Sequence, residues 1–142
     1  MATMKAFTDL EQSKKLAEIL PIESADMHYC LEQRDVATGY EIGTTPFIKA
    51  KRFEGKCNIV NVQPAWSLAA LFSVLPIIYT NDKKEVCGPL HIDITDSETP
   101  FVLWYVNPLH KGGIVELQTK EYDNLVDACY EMIIKLHEQK LL

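Results

Sequence analysis

The segment Ala65–Tyr79 contains no charged side chain, and it constrains the fold more than any other stretch. Ser67 and Ser73 interrupt its apolar run and Pro76 breaks it. A membrane-spanning helix needs about 20 apolar residues, so a buried helix followed by a strand is expected instead. Pro64 suits a first helical turn. From Trp66 to Leu75 apolar residues occupy nearly every side. Such a helix, expected over Pro64–Leu75, is buried on most sides, against the sheet and another helix or in a subunit interface.

Two further helices flank it. Thr8 and Glu11 have the spacing of a capping box. They open a helix with Leu10, Ser13, Leu16, Ala17 and Leu20 inward, which Pro21 ends. Near the C-terminus, Asn124 or Asp123 caps a helix that buries Leu125, Cys129, Met132, Ile133 and Leu136. The rest reads as strand. Met27–Leu31, Tyr40–Ile42, Pro46–Phe53 and Cys57–Val62 offer two or three antiparallel strands. Ile77–Thr80, Leu90–Ile94, Phe101–Val106 and Ile114–Leu117 form a meander. Leu90, Ile92 and Ile94 alternate with His91 and Asp93, which predicts one buried face. Phe101–Val106 is apolar on both parities. The fold class is therefore α+β: a mostly antiparallel sheet of four to six strands with three helices, ordered roughly α-β-β-α-β-β-β-α.

The 142 residues suit a single domain spanning residues 1–142. By surface scaling, a chain of this size buries roughly two-thirds of its unfolded surface, so no metal or disulfide is needed to hold it together. Net charge is −6, which disfavours non-specific nucleic-acid binding. Cys30, Cys57, Cys87 and Cys129 form no CxxC pair, and Met1–Leu10 has no apolar signal core. Both features point to a reducing cytoplasm.

Three segments carry a family resemblance. FTDLEQSKKLAEILP (Phe7–Pro21), PAWSLAALFSVLP (Pro64–Pro76) and DNLVDACYEMIIKLHEQKLL (Asp123–Leu142) resemble those of small uncharacterised proteins from gut Bacteroidales and their phages or prophages. The resemblance implies a mobile-element context. It implies no activity and no catalytic motif.

Each candidate site has a plain alternative. Cys87, His91 and Asp93 could share a strand face as zinc ligands or as a nucleophile and base, but Gly88-Pro89 breaks the strand and the residues then read as a solvent face. His28 and Cys30 are too few for a closed metal site. His137 suits a helix C-terminus, and His110 lies in a solvated loop. Lys49, Lys51, Arg52 and Lys56, interleaved with Phe47 and Phe53, could hold phosphates and stack bases; lysines guarding a sheet edge explain them equally. Asp93, Asp96 and Glu98 read as turn residues. Gly112-Gly113 is not a phosphate loop. Val102, Trp104 and Val106, on the far parity of the two-faced strand, are a candidate interaction surface; coverage by the chain itself is the alternative.

No catalytic, cofactor or metal residue is therefore assigned. The expected function is a non-enzymatic binding or accessory protein acting through protein contacts, with itself or another protein as partner and no membrane. A small Cys–His enzyme and a nucleic-acid binder are the alternatives.

Overall fold

A computed structural model describes residues 5–35, 39–42, 45–48, 60–109 and 113–142. It is α+β, with three helices and antiparallel strands in the expected alternation. The strands form three sheets rather than one. The chain divides into two compact units, Phe7–Ala70 and Leu71–Leu142 with Met1–Ala6.

In the Phe7–Ala70 unit, helix α1 (Leu10–Ile19) precedes strands β1 (Met27–Asp35), β2 (Gly39–Ile42), β3 (Phe47–Ile48) and β4 (Val60–Ala65). Leu31 pairs with both Ile42 and Val60, and His28 with both Phe47 and Pro64. A residue has one neighbour on each edge, so β2 and β3 share one edge of β1 and β4 takes the other. The capping box sits one residue later than its Thr8 spacing suggests. The Asp9 carboxylate accepts from Gln12 N at 2.8 Å, and Gln12 Oε1 accepts from Asp9 N at 3.1 Å.

Thr8 is instead fully buried. Its hydroxyl meets Ser13 Oγ at 2.7 Å and accepts from Trp66 N at 3.1 Å. Its carbonyl accepts from the Tyr29 hydroxyl at 2.7 Å, and its N–H donates to Trp66 O at 2.9 Å. The competing demand is burial: a hydroxyl enclosed beside Ser13 and Trp66 must be satisfied there, so the solvent-side Asp9 takes the cap.

Helix α2 (Leu68–Val74) is shorter than Pro64–Leu75, because Pro64 and Ala65 extend β4. Ser67 starts it: its N and hydroxyl donate to the Asp26 carboxylate, and its Oγ accepts from Ala70 N. Ala70, Leu71 and Leu75 are buried, whereas Ala69 and Ser73 are exposed. The helix is thus one-sided, not buried all round.

In the Leu71–Leu142 unit, β5 (Tyr79–Thr80) and β6 (Val86–Cys87) form a small hairpin. Strands β7 (Leu90–Ile94), β8 (Phe101–Asn107) and β9 (Ile114–Gln118) are three strands of the expected meander, in that order. Its expected first strand, Ile77–Thr80, instead pairs with β6 through β5 in a separate sheet. Helix α3 (Leu125–Glu138) packs on β8 and β9. Asn124 caps it, accepting from Asp127 N at 2.8 Å. Val126, Ala128, Cys129, Met132, Ile133 and Leu136 are fully buried along it. Lys5 Nζ lies 2.7 Å from Asp127 Oδ1 beside that helix N-terminus.

Candidate functional site

Strand β7 carries the largest departure from the sequence pattern. Its register with β8 sets Leu90 opposite Tyr105, Ile92 opposite Leu103 and Ile94 opposite Phe101. These six share one face, since directly paired residues point the same way. It is the α3 face: Leu103 and Tyr105 are fully buried, and Cys129 of the helix lies close enough to Tyr105 to help raise its phenol pKa, burial being the larger cause. Yet Ile92 is 44% exposed and Ile94 70%. The helix packs on β8 and on the Leu117 end of β9, whereas Ile114 at the other end of β9 and Ile92 and Ile94 on β7 stay exposed.

The backbone of β7 is open as well. Leu90 N–H points away from β8, donating to Ile77 O at 2.8 Å, while Thr95 N–H points back to Pro100 O at 2.7 Å. Direction alternates along an antiparallel strand, so the N–H and C=O of Ile92 and Ile94 point outward. Among the described residues, β7 is an edge strand and nothing bonds to these groups. Ile77 and Ile78, held beside Leu90 by that bond, are also exposed.

Edge strands in folded proteins are commonly guarded by lysine, proline or a bulge. β7 has none of these: its register with β8 is unbroken, and no lysine or arginine occurs from Glu85 to His110. Asp93 lies exposed between the two isoleucines, and Asp96, Glu98 and Glu121 are exposed nearby along the chain or at its hydroxyls. Glu121 accepts from Ser97 Oγ and Thr99 Oγ1.

The opposite parity of β8 is less open. Val102 is buried, and Trp104 and Val106 are half-buried. His91 stacks on the Trp104 ring at 4.1 Å between centroids, 10° from parallel. That contact accounts for His91 and takes up part of the indole surface.

A separate cleft of about 350 Å³ is lined by Tyr79, Asn81, Asp82, Glu116, Gln139 and Leu141. Its chemistry is quiet. Burial pushes the Tyr79 phenol well up, and the neighbouring Cys87 thiol adds to that. Burial likewise raises Cys87, partly offset by its hydrogen bond with Tyr79. Neither group is ionised near neutral pH, so the cleft has no thiolate and no phenolate nucleophile.

The other sequence candidates separate in space or fall silent. Cys87 is buried on β6, His91 lies on Trp104, and Asp93 is exposed; the chain turns between them at Gly88, whose φ is +127°. His28 and Cys30 are both buried on β1. His137 is exposed in the last turn of α3, where it was expected. Asp96 and Glu98 lie in an exposed turn. Among the described residues, no group of three or more His, Cys, Asp or Glu is placed to hold a metal, and no helix is long and apolar enough to cross a membrane. Lys49, Lys51, Arg52 and Lys56, with Cys57 and His110, lie outside the described residues. The alternation of β7 was visible in sequence; that its apolar parity lies bare was not, because no local signal reports how far α3 reaches. Comparison with protein-family models, curated proteins and solved structures returns no match.

Proposed function

We propose that this protein is a non-enzymatic binding protein that acts through protein contacts at the β7 edge. The supporting observation is an apolar strand parity, Ile92 and Ile94, that stays exposed beside a backbone edge with no pairing strand among the described residues. A sequence patterned for burial but bare in the folded chain is the mark of a surface that a partner covers. The raised thiol pKa values of Cys87 and Cys129 favour this reading over a cysteine enzyme. The resemblance of the helical segments to small proteins of Bacteroidales and their phages fits an accessory role in a mobile-element setting.

A photo-reactive p-benzoylphenylalanine tests the reading in cells that make the protein. Placed at Ile94, it should give a discrete covalent adduct that Ile92→Lys abolishes. Placed at Asp82, exposed in the same unit, it should give none. Indistinguishable products from the two positions would refute the proposal.

A further inference from the structure

We infer that the β7 edge accepts an antiparallel strand from a different protein, and that this strand alternates apolar, basic, apolar. The inference rests on the docking reading above and specifies the partner.

The backbone sets the geometry. Ile92 and Ile94 direct their N–H and C=O groups outward. An added antiparallel strand would therefore exchange paired bonds with both. Its two bonded residues would lie on the isoleucine face, where β-branched apolar side chains pack best. The residue between them would sit opposite Asp93 in a non-hydrogen-bonded pair. There the Cα atoms approach to about 4.5 Å and side chains are closest. Asp93 is exposed, and among the described residues no lysine or arginine forms an ion pair with it. Opposite charges in such a pair stabilise by about 0.2–1 kcal/mol, and like charges destabilise. Lysine or arginine is thus the complement at the central position.

The same geometry disfavours two registers in which a second copy of this chain could pair. A third, Ile94 opposite Ile94, runs off the strand, setting Ile92 against Asp96 in the turn. Pairing β7 with itself so that Ile92 meets Ile94 sets Asp93 against Asp93, a like-charge pair at the closest spacing. Shifting the register so that Ile92 meets Ile92 requires the Leu90 N–H, which Ile77 O already holds at 2.8 Å. A partner with a basic centre meets none of these obstacles. The segment Ile77–Ile78 also stops the added strand at the Leu90 end, so the strand should extend past Ile94 toward the acidic turn at Asp96 and Glu98.

The probes are two synthetic peptides, acetyl-Thr-Val-Lys-Val-Thr-amide and its counterpart with glutamate for lysine. Each is titrated into the full-length ¹⁵N-labelled protein at low salt. The lysine peptide should shift the Ile92 and Ile94 amides saturably, with a Kd roughly five-fold lower than the glutamate peptide. Asp93→Asn, an exposed substitution, should bring the two Kd values within about two-fold of each other. Equal affinities in the unaltered protein, shifts confined to other residues, or no shift at millimolar peptide would overturn the inference. So would concentration-dependent pairing of the chain with itself through Ile92 and Ile94. Equal affinities at this edge, or self-pairing there, would leave the docking proposal standing; loss of the position-94 adduct would remove that proposal itself.

Discussion

The two units close their interiors by different means. In Phe7–Ala70 the packing around Trp66 is threaded by polar groups: Thr8, Ser13, Tyr29 and Ser24 all bond within it, and Trp66 Nε1 donates to Ser24 Oγ at 3.0 Å. Among the described residues, no buried side-chain nitrogen or oxygen lacks a partner. In Leu71–Leu142 the interior is chiefly the apolar face of α3 against β8 and β9. The polar arrangement fixes one geometry, because each hydroxyl must meet its own partner. The apolar one is graded by distance from the helix, so coverage simply stops before β7. Asn107, Thr119 and Asn124 are also buried and bonded in that unit. None of those bonds reaches β7, so the strand is left bare without breaking any of them, and the candidate interaction edge lies there.

The sharpest way to break this comparison uses two residues of the same face on adjacent strands. Leu103→Ala should cost about 2–5 kcal/mol, as for a leucine deleted from a packed core. Ile94→Ala should change stability by no more than about 0.5 kcal/mol. Urea denaturation of both variants checks this; a comparable loss for Ile94→Ala would mean that β7 is covered after all.

A smaller effect is expected from the polar interior. Thr8→Ala strands the buried Trp66 N–H and leaves the Ser13 hydroxyl only its longer bond to the Thr8 carbonyl, at about 1–3 kcal/mol. Thr8→Ser restores the oxygen and should recover most of that loss in thermal melts, whereas Thr8→Val should not. Recovery by valine would show that shape, not hydrogen bonding, holds this unit.

The last effect is read by pH and develops only above about pH 9. Burial pushes the Cys129 thiol, within α3, up to about 12 from 9.0. A thiol raised on folding ionises first in the unfolded chain. Its stabilising contribution is therefore intact below pH 9 and is lost as pH rises toward 12. The urea midpoint should fall between pH 8 and pH 11, and Cys129→Ala should lessen that fall relative to its own value at pH 8. An unchanged slope in the variant would assign the alkaline loss to other groups.

Much of this was legible one residue at a time. The Asn124 cap and the burial of Cys129, Met132, Ile133 and Leu136 follow from the helical period, although Leu125 is only half-buried and Val126 and Ala128 go inside in the first turn. Pro21 and Pro76 lie just beyond the ends of α1 and α2, and the order of β7, β8 and β9 follows from alternation and turn residues. The capping box is an instructive miss. Thr8-x-x-Glu11 and Asp9-x-x-Gln12 are equally good local patterns, and the choice fell to Trp66, which is 58 residues from Thr8 in the chain. The start of α2 was misplaced for the same reason. Pro64 is a fair first-turn residue, but β1 claims it opposite His28.

The sequence by itself determined which residues want a helix, which want a strand, and which side of each is apolar, because those preferences act over a few neighbouring positions. Only the tertiary structure decided whether an apolar side is covered. Leu103 and Ile92 lie opposite each other on one face, and pattern alone treats them alike. The middle strand lies under α3 and Ile92 and Ile94 of β7 do not, and the reach of a helix across a sheet depends on how distant elements pack.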